Sequence, residues 1–213
     1  MKMQAVKTQK DKRKVRGDES RRQILHATIA CVGTLGLSNT TLDRVAERAG
    51  SSRGLVVFHF KSKSNLLQEV LTFLGTQYSE GWNAAYHQEE TSNIIKLLRL
   101  VDFDIQFAYD NPQYISAWHA FWGEAKGNLL YHNFSLPRDA NYGDQLENLI
   151  SLLIEEGQYD PAELDGINLS LGSMLFGIWV ESHLDHNPDD CQRYMKAVRL
   201  LLSKFLPRHT IDG

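Results

Sequence analysis

The chain has 213 residues, 42% hydrophobic and 23% charged: enough for a globular core, and without the apolar run of about 18 residues that a membrane-spanning helix needs. Its formal net charge of −3 hides a split, because residues 1–63 hold 14 Lys+Arg against 5 Asp+Glu (net +9) and residues 64–213 hold 9 against 21 (net −12). That split disfavours a uniform enzyme domain and points to a basic segment for a polyanion joined to an acidic body, while two cysteines, Cys31 and Cys191, exclude a disulfide framework and a zinc site and make the cytoplasm the default compartment.

Residues 1–17 carry seven basic residues, one acidic residue and few large apolar side chains. Such a segment cannot offset its ordering entropy by burial, so a flexible basic tail is expected there. No apolar stretch follows it, which excludes a secretory signal. From Asp18 onward the pattern is helical. Ile24, Ala27, Thr28, Cys31 and Leu35 recur at i, i+3, i+4, i+7, and Gly36 stops that helix. Thr41 caps a short helix over 42–49, Gly50 breaks it, and Ser51 or Ser52 caps a third helix to about His59. Ser62 caps a longer one through Leu66, Val70, Leu74 and Tyr78. Helices are expected over 92–108, 112–125 and 142–156, with a polar loop around 133–140. Pro161 and Glu163 open another, to about His183, with capping-box spacing; Asn187-Pro188 opens the last, which Pro207 ends. The fold class is all-α, about nine helices, divided into the tail (1–17), a small head (18–63) and a body (64–213).

Residues 41–60 hold the strongest constellation. Two short helices crossing steeply need a small residue at the crossing and a glycine in the turn. Ala46 and Gly50 supply both, and Val56, six residues on, packs the second helix back on the first, with Val45, Phe58 and Phe60 completing a small core. This is helix-turn-helix spacing.

Asp18–Leu67, with Thr40-Thr41, Ala46, Gly50, Phe58-His59-Phe60-Lys61-Ser62-Lys63 and Leu66-Leu67, resembles the DNA-binding domain of TetR-family regulators. The resemblance implies an all-α dimer with an N-terminal reader and a ligand-sensing, dimerising body, acting as a repressor released by a small molecule. It places the first turn of the third helix, Ser52-Arg53-Gly54, at the major groove. Arg53 is the best base reader, since its fork matches guanine O6 and N7, and Val57 faces thymine methyls. Thr41, His59 and Lys63 match positions that hold phosphates. Many members have Tyr where Val57 stands, and Arg where Asp43 stands; Arg44 is the neighbour here. Lys12, Arg13, Lys14 and Arg16 are candidates for the minor groove or phosphates.

In the body, Tyr114, Trp118 and Trp122 stand at i, i+4, i+8 with Phe121 flanking, a density of aromatics suited to a quaternary ammonium ion and equally to plain core. Tyr109, Glu124, Tyr131 and Trp179 are further candidate walls or a counter-charge. Residues 117–122 and Gly177-Ile178-Trp179 resemble the BetI branch of the family, whose members respond to choline. Relatives often carry Asp where this chain has Phe176, so an acidic partner must come from elsewhere, Glu124 or Glu181 being candidates. An apolar or aromatic ligand is the alternative effector. Dimerisation through the last two long helices is expected to use Met174, Ile178, Val198, Leu202 and Phe205. The cluster of His183, Asp185, His186, Asp189 and Cys191 reads as a helix end followed by an acidic loop, and no metal or cofactor is expected. A sequence-indifferent DNA binder is the rival from another class; no phosphate loop or nucleophile elbow supports an enzyme.

Overall fold

The computed structural model describes residues 2–89, 92–124 and 136–211, with side chains from Val15 in the first helix and from Asn141 in the seventh. Among these residues the chain forms nine α-helices and no strand: α1 (Lys2–Asn39), α2 (Leu42–Arg48), α3 (Arg53–Phe60), α4 (Lys63–His87), α5 (Asn93–Asp110), α6 (Pro112–Gly123), α7 (Leu136–Gly157), α8 (Glu163–Leu184) and α9 (Asp190–Phe205). The expected all-α class is what the structure shows.

The caps that build the head are those the sequence marks. Thr41 Oγ1 accepts from Arg44 N at 3.3 Å, Ser52 Oγ from Leu55 N at 3.2 Å, and Ser62 Oγ from Asn65 N at 3.1 Å. Each such cap stabilises its helix by about 1 kcal/mol. Gly36 (φ 76°) bends the end of α1, and Gly50 (φ 59°) turns α2 into α3, both in backbone conformations that glycine tolerates best. Val45, Ala46, Val56 and Phe60 fill the small core between the short helices.

Some boundaries differ from expectation. α1 continues as helix back to Lys2 instead of giving way to a tail, since no Gly or Pro lies between Lys2 and Arg16 to stop propagation. α4 runs two turns beyond Tyr78, because Trp82 is buried at 1% exposure and holds the extension against the core. The expected polar loop at 133–140 is helical from Leu136, where Pro137 falls in the first turn and its missing N–H costs nothing. Before α8, Asp160 Oδ1 accepts from Ala162 N at 2.9 Å, a local turn in place of the capping box.

α5 is the central helix: Leu97, Leu100, Val101, Ile105 and Ala108 are fully buried by the helices around it. Head and body meet where α1 crosses α6. A Cβ on Gly33 would lie 3.0 Å from Ser116 Cβ and 3.3 Å from Ala117 N, so the backbones approach as closely as glycine permits. Gly33→Val overpacks this crossing and should cost about 1–3 kcal/mol, measured as a lower urea midpoint at unchanged slope; an unchanged midpoint would show that the crossing is slack.

Candidate functional site

The head presents α3 outward. Arg53 opens α3, and its Nη1 donates to Asp43 Oδ2 at 3.1 Å and more weakly to Oδ1 at 3.4 Å. Both side chains are about two-thirds exposed, so the pair contributes little to stability and leaves the guanidinium open to a better partner. A Cβ on Gly54 would meet nothing nearer than Ser52 Oγ at 3.8 Å, and Val57 is exposed on the same helix. Arg53, Gly54 and Val57 are therefore free to face a groove.

Other expected readers are occupied. Thr41 and Ser52 are caps. Arg44 Nη1 donates to Asn39 O at 2.7 Å, and Lys63 Nζ donates to Leu37 O at 2.7 Å, so both satisfy carbonyls at the end of α1. His59 is half-buried, and its pKa is lowered by burial first and then by Arg21 and Lys61. Phe58, expected in the small core, is 66% exposed, with the Lys61 ammonium 5.4 Å from its ring centre. In an eight-residue helix Val56 and Phe60 take the buried face, and position 58 falls opposite them. Arg16 is exposed on α1. Lys12, Arg13 and Lys14 lie outside the residues whose side chains are described.

The body holds a cavity of about 210 Å³. α6 contributes Trp118 and Trp122, α4 contributes Tyr78 and Trp82, α7 Tyr142 and Leu146, α8 Gly172, Leu175, Phe176 and Trp179, and α5 Asp104. The rings interlock: Tyr78 meets Tyr142 at 5.0 Å and Trp179 at 5.6 Å, and Trp179 meets Trp118 at 5.5 Å and Trp122 at 5.9 Å. Asp104, 6% exposed, accepts from Tyr78 Oη–H at 2.6 Å on Oδ1 and from Trp179 Nε1–H at 3.1 Å on Oδ2. Burial pushes its pKa up to about 6, the two donors opposing part of the rise. Trp122 Nε1 is buried with no hydrogen-bond partner among the described residues. A cavity walled by aromatic faces receives cations and apolar groups alike.

Of the residues expected here, Trp118, Trp122 and Trp179 form walls. Phe121 is fully buried in the core instead, and Tyr114 turns away to meet Phe73 edge-on at 5.8 Å. Glu124 is on the surface, accepting from Ser38 Oγ at 3.2 Å. Glu181 is exposed, and Tyr131 lies outside the described residues. The acid in the cavity is Asp104, and the further walls Tyr78, Trp82 and Tyr142 were not expected either. The available signal was a charged residue on the buried face of α5, between Val101 and Ala108.

The cavity wall and the seat of the head are two sides of α6. Trp118 and Trp122 line the cavity, while Ser116 and Ala117 meet Gly33 of α1. Tyr114 continues the link through Phe73, whose ring meets His26 of α1 at 5.2 Å. On the α8 side, His183 Nδ1 shares a hydrogen with Ser116 Oγ at 3.2 Å and stacks on His119 at 4.6 Å. His186 stacks on Tyr109 instead, and Cys191 is buried, so the His/Asp cluster disperses.

For association, Ile178, Val198 and Leu202 are buried within the chain, and Met174 and Phe205 are half-buried. The large apolar side chains that α8 and α9 leave exposed are Leu169, Phe176, Leu184 and Leu200.

Residues 24–70 match the model of bacterial regulatory proteins of the tetR family. The HTH-type transcriptional regulator BetI of Escherichia coli (strain K12) is 23% identical over 88% of this chain and 94% of its own length. BetI of Pectobacterium atrosepticum is 21% identical over 81% and 86%. Among solved structures, a transcriptional regulator from Saccharomonospora viridis in complex with choline has a similar fold (TM-score 0.71, 18% identity, 88% of this chain and 96% of that one). So does the ketosteroid regulator KstR2 of Mycobacterium tuberculosis (TM-score 0.70, 17% identity, 88% and 93%).

The cavity acid has a measurable cost. Folded, the carboxyl keeps its proton up to about pH 6; unfolded, only up to the model value of 3.8. The folded state therefore binds more protons in that window, and stability falls as pH rises through it, by about 2–3 kcal/mol in all. Asp104→Asn cannot ionise but turns an amide N–H toward one of the two donors, so in thermal melts it should be destabilised near pH 4 and recover about 2–3 kcal/mol relative to the wild type as pH rises to 7.5. Destabilisation of equal size at both ends would contradict this.

Proposed function

We propose that the chain, whose residues 24–70 match the tetR family of bacterial regulatory proteins, is a transcriptional repressor that holds a palindromic operator as a homodimer and lets go when a small molecule enters the body. The observation that carries this reading is α6, which presents Trp118 and Trp122 to the cavity and Ser116 and Ala117 to Gly33 of α1. A molecule that fits the cavity better in one setting of α6 shifts the head toward that setting by its difference in affinity. α4 adds a second link, from Tyr78 and Trp82 in the wall to Lys63 on the end of α1.

On the DNA side, two-fold symmetry places two α3 helices in successive major grooves, about 34–36 Å apart or somewhat more. Arg53 reads a base; Val57 meets a thymine methyl. Leu169, Phe176 and Leu200 supply apolar surface for the second copy. The protein acts in the cytoplasm, without catalysis.

The effector is a quaternary amine, with choline first. Support comes from the aromatic walls, from relatives named BetI, and from the likeness in fold to a regulator in complex with choline. The second reading, an apolar or aromatic ligand, draws on Leu146, Leu175 and Phe176 in the same wall.

Selection from a randomised pool of duplex DNA should enrich a palindrome for the wild-type protein. Arg53→Ala should lose about 1–3 kcal/mol of discrimination at one base pair per half-site, while its binding to random DNA changes little. Trp122→Leu should keep the palindrome but lose release by choline, measured by fluorescence anisotropy. Failure to enrich any sequence would refute a sequence-reading regulator and leave the architectural alternative.

A further inference from the structure

Four polar side chains are buried among the described residues, and Asp104 is the one acid among them. Its two hydrogen-bond donors, Tyr78 and Trp179, are neutral: they favour the ionised form without cancelling its charge. The residues lining the cavity include no Lys, Arg or His. Titratable neighbours among the described residues of the packed helices do not supply a cation. Tyr78 and Tyr142 are phenols; His119 and His183 lie beyond Trp179, engaged with its carbonyl and with Ser116. Asp102, two residues away, has its own partner in Arg199, at 2.5 Å. An ionised carboxylate in such a place is costly unless a positive charge joins it.

We propose that Asp104 is the counter-charge of the effector, so that the cavity is a receptor for one small alkylammonium cation per chain and rejects neutral isosteres. This rests on the effector reading above and names the group that enforces it. A quaternary nitrogen has no N–H, so it leaves the Tyr78 and Trp179 bonds to Asp104 in place. Its methyl groups lie on the faces of Trp118, Trp122 and Tyr142, whose rings attract positive charge. Above about pH 6 the carboxylate is already ionised and pairs with the cation directly; below it, binding first releases the carboxyl proton to solvent, which weakens the affinity. A neutral molecule of the same shape gains the ring contacts and not the ion pair.

Titration calorimetry compares choline with dimethylbutanol, its uncharged carbon isostere. At pH 7.5 the wild-type protein should bind choline at least tenfold more tightly, and Asp104→Asn should erase that preference. Choline affinity of the wild type should fall about tenfold between pH 7.5 and pH 5, and the variant's should not follow. The wild-type isostere comparison and pH profile decide the matter even if the variant is poorly folded. Equal binding of the two ligands, a choline preference that survives Asp104→Asn, or no binding of choline or tetramethylammonium would each overturn the proposal. Release of DNA by a neutral compound, with no cation bound, would end the cation receptor and leave the regulator standing.

Discussion

A buried carboxylate with no cation beside it among the described residues is the constraint around which the body is built. Asp104 joins α5 to α4 through Tyr78 and to α8 through Trp179, and α6 and α7 complete the cavity these helices line. An apolar residue at 104 would leave the Tyr78 hydroxyl and the Trp179 N–H buried without acceptors, at a cost of about 1–3 kcal/mol each. The acid therefore satisfies two donors and at the same time stores an electrostatic penalty. Such stored cost is expected at a binding site, where a ligand relieves it, and is hard to justify in a core that only has to be stable.

That node matters to the head because the wall around it is shared. Trp179 packs against Trp118 and Trp122, and its carbonyl meets His119. All three partners are on α6. The opposite side of α6 meets Gly33, and its end holds Ser38 of α1 through Glu124. Protein interiors are close-packed, so a displaced ring is felt across a helix rather than absorbed. The head itself is held by small devices: three hydroxyl caps, two glycine turns, and two cations, Arg44 and Lys63, folded back on the carbonyls that close α1.

The fold was legible because helices announce themselves locally. Thr41, Ser52, Ser62, Gly36 and Gly50 are punctuation whose meaning needs no tertiary knowledge, and each stands where the sequence places it. Tryptophans at 118, 122 and 179 were legible as a candidate cage because few residues share their chemistry. What stayed hidden depends on which way a side chain turns. Tyr114 shares the spacing of Trp118 and Trp122 but meets Phe73, and Phe58 sits in an apolar run but faces out. Ile178, Val198 and Leu202 have the periodicity of an interface and belong to the chain's own core. Lys63, expected at a phosphate, is turned back in this structure onto the Leu37 carbonyl at the end of α1. Asp104 was masked by its neighbour Asp102, since two acids two residues apart fall on different sides of α5, one paired with Arg199 and one in the cavity.

The charge split between residues 1–63 and 64–213 also takes on a physical meaning. On the proposed reading, basic residues in the head would draw the protein to DNA and make the affinity salt-dependent, while specificity would fall to few exposed groups, Arg53 first. The central claim is that the cavity and the head share one equilibrium through α6. Reciprocal linkage tests it: choline affinity is measured by titration with the free protein and again with the protein saturated by its selected palindrome. The account predicts weaker choline binding on DNA, by the same factor as choline weakens DNA binding. Equal choline affinity in the two states would contradict it.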